Sequence, residues 1–276
     1  MMPLLESQLD LSPFDGIAEQ YDSIFTESPI GRAQRSSVWE ELASVFPSGS
    51  HVLEIGCGTG VEACFLAERG VSVTACDQSR EMVRMTEMRV RNCSSRFQNA
   101  FVLPRVMAAE QIGILAREHL FDGAFSDFGV LNCVSDLRKF AKDLAVVLKR
   151  SARVVLCLMS PCCAWEMVWF LGHGQGRRAF RRLTSHPIEA RVSQHGVISV
   201  RYPTVREMKR IFEPQFHLKG VKGVGLLVPP TYVADWANRY PNCMNLACSA
   251  DRFLSRCPGI RVLADHVLLT FEWSQM

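Results

Sequence analysis

Residues 52–60 read VLEIGCGTG: an apolar run carrying one acid, then glycines at positions 56, 58 and 60. The run reads as a buried strand, and the alternating glycines let backbone approach a ligand closely. The residues behind it, VEACFLAERG, have helical spacing and end on Gly70. Strand, glycine loop and helix form the outline shared by two phosphate-binding loops, and neither fits. A P-loop needs four residues between its glycines and then Lys-Ser or Lys-Thr, which are missing. A dinucleotide fingerprint needs Gly or Ala where this chain has Val61; its last glycine falls one residue early, at Gly60. Glu54 would repel a phosphate as well. A carboxylate there suits a ligand bearing a positive group, such as an α-ammonium.

Outward from this loop, strand and helix patterns alternate. Residues 14–46 read as helical with short breaks, stopped by Pro47, Ser48 and Gly49. VSVTACD (71–77) reads as a second strand and SREMVRMTEMRVRN as a helix capped by Ser79. FVLPRVMAA reads as a third strand interrupted by Pro104, and FDGAFSDF (121–128) as a fourth. LRKFAKDLAVVLK then reads as a helix and ARVVLCLMS as a fifth strand. This alternation predicts an α/β fold, a doubly wound and mainly parallel sheet. Right-handed crossovers bring the loops at 56–60, 77–79, 108–111 and 126–132 to one crevice. Past residue 160 the pattern changes: a helix near 164–171, an Arg-rich helix, and a hairpin EARVSQHGVISVRY turning at His195-Gly196. A further helix (TVREMKRIFE) and two strands (FHLKGVKGVGLLV and ADHVLLTFEW) complete a seven-stranded sheet. The chain reads as one domain over 1–276, with a core at 14–160 and insertions at 161–203 and 229–260 forming a substrate cap.

Composition narrows the partners. A net charge of +3 on 276 residues points to no polyanion, and GRRAFRR (176–182) reads as a solvated helix face. The eleven cysteines lie mainly in apolar or glycine-rich stretches, and no paired C-x-x-C or His spacing suggests zinc or another metal. The N-terminus lacks a basic-then-apolar leader, so the expected compartment is cytoplasmic. VVLCLMSPCCAWEMVWFLG (154–172) approaches a membrane span in length, but Pro161 and Glu166 break it. The expected partners are thus a small-molecule acceptor, without membrane and without nucleic acid; a homodimer is compatible with the sequence.

LEIGCGTG (53–60) resembles motif I of the class I S-adenosylmethionine-dependent methyltransferases. The resemblance implies the cofactor S-adenosylmethionine, with Glu54 and the backbone of Gly56, Cys57, Gly58, Thr59 and Gly60 around its methionine part. Asp77 and Gln78, at the second strand tip, match the site of the ribose hydroxyls, where one carboxylate accepts from both members of a cis-diol. FDGIAEQYD resembles the helix that closes over the cofactor, with Tyr21 reaching its carboxylate; Arg32 or Arg35 could complement that carboxylate or an acceptor anion. Asp127, Phe128 and Gly129 match residues flanking the cofactor. Many members carry an acid for adenine after the third strand; here MAAEQ offers only Glu110 nearby.

The implied reaction is methyl transfer to an O, N or C atom of a small, partly apolar acceptor. Asn132, Trp165, Trp169 and Tyr202 are expected at the acceptor, and His173 as general base. The rival readings are a nicotinamide-dependent oxidoreductase, a catalytically silent cofactor-binding or regulatory protein, and an RNA or protein methyltransferase.

Overall fold

The computed structural model describes residues 12–192, 196–233, 237 and 239–274. Its main sheet has seven strands in the order β3-β2-β1-β4-β5-β9-β8. The central strand β1 (His51–Ile55) pairs in parallel with β2 (Ser72–Asp77) on one side and β4 (Phe121–Ser126) on the other. Strands β3 (Val102–Val106) and β5 (Leu148–Met159) extend the parallel part. The last two, β8 (Phe216–Val224) and β9 (His266–Trp273), are joined antiparallel to each other and, through β9, to β5. A separate hairpin pairs β6 (Ile188–Arg191) with β7 (Val197–Val200); the turn residue His195 lies outside the described residues.

Pro104 does not interrupt β3, which pairs through it with Ala75. β3 is an edge strand, where a residue without an N–H leaves no ladder bond broken. The fifth strand also starts earlier than the sequence suggests, because α5 (Leu137–Val147) gives way directly to extended backbone at Leu148.

Both faces of the sheet are covered. On one, Leu53 and Ile55 pack with Phe140, Leu144 of α5 and with Met208, Phe212 of α8 (Val205–Phe212). On the other, Val52, Val73 and Phe125 pack with Val38, Leu42 of α2 (Pro29–Val45) and with Ala63, Leu66 of α3 (Val61–Ala67). This side alternation along each strand decides where the polar residues near the strand tips face.

The segment after β5 carries α6 (Ala164–Gly172) and the single turn α7 (Gly176–Ala179). The arginines here do not all form the solvated face that their spacing suggests. Arg182 is 7% exposed; its Nε donates to Glu166 Oε2 (2.9 Å) and its Nη2 to Asp265 Oδ1 (2.8 Å). Arg181 donates to the same Glu166 from outside, through Nε at 2.6 Å. The pairing fastens α6 to the start of β9 and leaves only Arg177 and Arg178 wholly on the surface. Among the described residues no helix is long and apolar enough to cross a membrane. Replacing Arg182 by Ala would take its guanidinium from Asp265, which keeps Gln34 (3.3 Å) and His266 (3.4 Å), and would remove one of two partners of buried Glu166. Urea unfolding should show a loss of about 3 kcal/mol, the lower end for a broken buried pair because Arg181 remains.

Candidate active site

The strand order reverses at β1, so the loops leaving β1 and β4 diverge and open a crevice between them. The cavity there is lined by Gly56 to Thr59, Asp77, Gln78, Glu110 and Asp127 to Gly129, together with Tyr21, Arg35, Glu54 and Glu62. All four loops expected to converge do so.

The glycine loop holds itself. Gly56 and Cys57 both donate their amides to Cys76 O (2.7 and 2.9 Å), Gly60 donates to Cys57 O (2.9 Å), and Gly58 donates to Asp77 Oδ2 (2.9 Å). These amides are engaged inside the protein rather than gathered toward an anion, which fits the misplaced third glycine. Gly56 has φ +76°, and a Cβ there would lie 2.2 Å from Val130 Cγ2, so only glycine is accommodated. Ser79 donates its amide to Asp77 Oδ1 (2.8 Å). Each Asp77 oxygen thus accepts one internal bond, which fixes the carboxylate and leaves further lone pairs for a diol.

Side alternation places the acids. Val52 faces α2 and α3, so Glu54, two residues on, faces the same way; Phe125 and Asp127 repeat the pattern on β4. Among the described residues nothing partners Oε2 of Glu54, which is 2% exposed, or either carboxylate oxygen of Asp127, which is 6% exposed. Across from them, Arg35 emerges on the buried stripe of α2 and pairs with Glu62 of α3. Its Cζ lies 5.1 Å from the Phe25 ring centroid and 5.0 Å from that of Phe128, and its Nε has no partner. Arg35 is the one cation lining the cavity among the described residues. Burial pushes the Glu54 carboxyl well above its usual range, with Glu62 and Asp127 adding to the effect. Burial does the same to Asp127, helped by Glu62 and opposed by Arg35. Burial also raises the Tyr21 phenol. The floor therefore carries more carboxylate than cation and has unpaired acceptors, an arrangement that receives a positively charged ligand.

The helix at α1 (Ala18–Tyr21) and the π-helical turn Asp22–Thr26 close over this floor. Thr59 Oγ1 donates to Asp22 Oδ1 (2.8 Å), and Arg89 pairs with the same carboxylate while its Nε donates to Thr59 O (2.7 Å). Tyr21 is thereby held at the cavity. Of the two arginines considered for an anion, Arg35 lines the cavity and Arg32 is exposed.

Residues expected at the acceptor fall elsewhere. Asn132 is fully buried: its Nδ2 donates to Met159 O (3.1 Å) and Arg201 O (2.6 Å), and its Oδ1 accepts from Met159 N (2.9 Å). It fastens the end of the hairpin to the tip of β5. Trp165 donates to Leu227 O (3.0 Å). Tyr202 lines a second hollow beside Arg182. His173 is exposed, its ring 4.4 Å from that of Trp169 and its Nδ1 2.7 Å from Trp169 O. None of these four, nor Trp169 or Gly60, lines the crevice, and His173 stands exposed at the end of α6. In their place stand Cys133, Val134, Met159 and Ile198. Ile198 arrives on the hairpin, which no local pattern could register against the sheet. Glu62 had a signal: it is the lone acid in the apolar run VEACFLA.

A methyltransferase-domain family model matches residues 53–156, from β1 into β5. A demethylmenaquinone methyltransferase of Thermobifida fusca (strain YX) is 28% identical over 180 residues, 62% of this chain and 72% of that protein. Another, from Clavibacter sepedonicus, is 28% identical over 147 residues, 53% of this chain and 56% of that one. Among solved structures, the CcbJ methyltransferase from Streptomyces caelestis superposes with TM-score 0.61 at 14% identity, covering 96% of this chain and 99% of that one. Magnesium protoporphyrin IX methyltransferase (ChlM) from Synechocystis PCC 6803, with S-adenosylhomocysteine (SAH) bound, gives 0.58 at 14% identity, covering 95% and 96%. The structural likenesses speak for the fold, and the sequence likenesses for the chemistry. The chain carries a methyltransferase domain of the S-adenosylmethionine-dependent kind.

Proposed function

We propose that the chain methylates a small, partly apolar acceptor at an O, N or C atom. The observation that carries this reading is one cavity with two characters. Its floor is acidic and has unpaired buried carboxylate oxygens, while Val134, Met159 and Ile198 contribute apolar lining. The name of the demethylmenaquinone relatives adds a small-molecule acceptor by analogy.

In this reading Glu54 and Asp127 receive the ammonium group of the cofactor, Arg35 answers its carboxylate, and Asp77 accepts from the ribose hydroxyls. The bound cofactor supplies an already electrophilic methyl group on a sulfonium. The protein's part is to orient, to exclude water and to stabilise charge, effects that together contribute roughly 7–11 kcal/mol in well-aligned reactions. Phe25 and Phe128, which flank the Arg35 guanidinium, keep that end of the cavity dry. Since no histidine lines the cavity among the described residues, any acceptor proton leaves to a group other than His173.

Calorimetry should show binding of S-adenosylmethionine and none of NAD; the opposite result would reject the assignment. Asp77→Ala should weaken cofactor binding by about 1–3 kcal/mol, as a charged hydrogen-bond acceptor is lost. A pH effect follows from Glu54 and Asp127. Because their carboxyls are raised, the ligand-free fold holds protons that the unfolded chain releases above about pH 4. Its stability is fullest below that range and falls as pH rises through the raised values. A cationic ligand offsets the exposed repulsion, so the gain in Tm on adding S-adenosylmethionine should be larger at about pH 8 than at about pH 5. Glu54→Gln should flatten the difference; a gain independent of pH in the unaltered protein would place the ligand away from these acids.

A further inference from the structure

Helix α6 is built inside out. Its nine residues, AWEMVWFLG, include one polar side chain, Glu166, and that one is 1% exposed. The outward positions are apolar: Val168 is 69% exposed and Leu171 50%, and they stand one turn apart. A surface helix ordinarily turns its polar residues outward. Glu166 faces inward because Arg181 and Arg182 meet it there, and the apolar face is left outside as a consequence. The same apolar exposure continues past α7, in Phe180 (47%) and Leu183 (55%).

Along the segment itself the charge has one sign. From Met167 to Ile188 the sequence contains no acid and four arginines, of which Arg177 and Arg178 are exposed and Arg181 is 43% exposed. Arg178 and Arg181 both sit over the Phe170 ring, at 5.7 and 5.8 Å from its centroid, so the cations stand beside the apolar helix.

We propose that the α6–α7 face docks on an anionic lipid bilayer. A bilayer offers the two chemistries this face asks for, hydrocarbon for Val168 and Leu171 and headgroup phosphate for Arg177 and Arg178. A second copy meeting the face symmetrically would set arginine against arginine with no acid in the segment to answer. Single-stranded RNA would satisfy the arginines, but aliphatic side chains give bases nothing to stack on. The helix is about 13 Å long, too short to span the hydrocarbon core, so it lies in the interface plane. The proposal departs from the sequence expectation of no membrane partner, which was argued from the lack of a spanning segment. The proposal is independent of which acceptor is methylated, though it would put the enzyme where lipid-soluble acceptors are.

The test is co-sedimentation of the full chain with vesicles of phosphatidylcholine alone or mixed with phosphatidylglycerol, without cofactor. The expected result is binding to the mixed vesicles, weakened by salt and much weaker on the neutral ones. Val168→Asp with Leu171→Asp should reduce partitioning roughly a hundredfold, as two apolar side chains lose their burial. Arg177→Glu with Arg178→Glu should reduce it about tenfold or more. All four positions are exposed, and calorimetric binding of S-adenosylmethionine reports that each variant is folded. Absence of binding to mixed vesicles, or binding by both variants equal to that of the unaltered chain, would overturn the proposal. So would a dimer in sedimentation velocity that the Val168/Leu171 variant dissolves, or oligo-uridine binding lost in the arginine variant while vesicle binding persists.

Discussion

The site depends on a buried mismatch of charge: three carboxylates, Glu54, Glu62 and Asp127, around the single guanidinium of Arg35. Glu62 is answered by Arg35 and by the Trp39 indole at 3.2 Å. The other two retain acceptors that nothing among the described residues satisfies. Burying such groups is unfavourable unless something completes them, and a fold keeps them at a site where a ligand does. The neighbouring architecture can be read as support for that arrangement. Phe25 and Phe128 hold the guanidinium, side alternation in β1 and β4 aims the acids, and the self-bonded glycine loop sets their distance from the helix above.

The ligand's chemistry follows from the same mismatch. A phosphate would meet repulsion and find the amides already engaged. A ligand with an ammonium, a sulfonium and one carboxylate carries a net positive charge and matches both the excess acid and the lone arginine. Loss of the methyl group turns the sulfonium into a neutral thioether, so the electrostatic attraction weakens as the reaction completes. That difference favours the substrate form of the cofactor over the product form at the floor of the cavity.

The strand-tip lining of the crevice was legible in the sequence because it is local. Glycine spacing, Glu54 and Asp77 lie at strand tips, where position along the chain and position in space are tied by the βαβ repeat. The wall at the other side was not legible for the converse reason. Ile198 comes from a hairpin whose placement depends on Asn132 reaching Arg201 and Met159 across the fold, and a buried amide making three hydrogen bonds reads in sequence like any polar residue after a strand. Trp165, Trp169 and His173 look like pocket residues by type; only the inward turn of Glu166 shows that α6 presents its other face to solvent. The Arg-rich run misled in the same way, since a charge cluster on the surface and one clamped to a buried acid have the same spelling.

The internally bonded glycine loop has a consequence for turnover. The amides of Gly56, Cys57, Gly58 and Gly60 find partners inside the protein without any ligand, so an empty site leaves none of them to collapse inward. Little ordering has to be repeated at each cycle, and the entropy that a flexible loop would lose on every encounter is lost once, during folding. The element tied to that loop is the cover Ala18–Thr26, held through Thr59, Asp22 and Arg89.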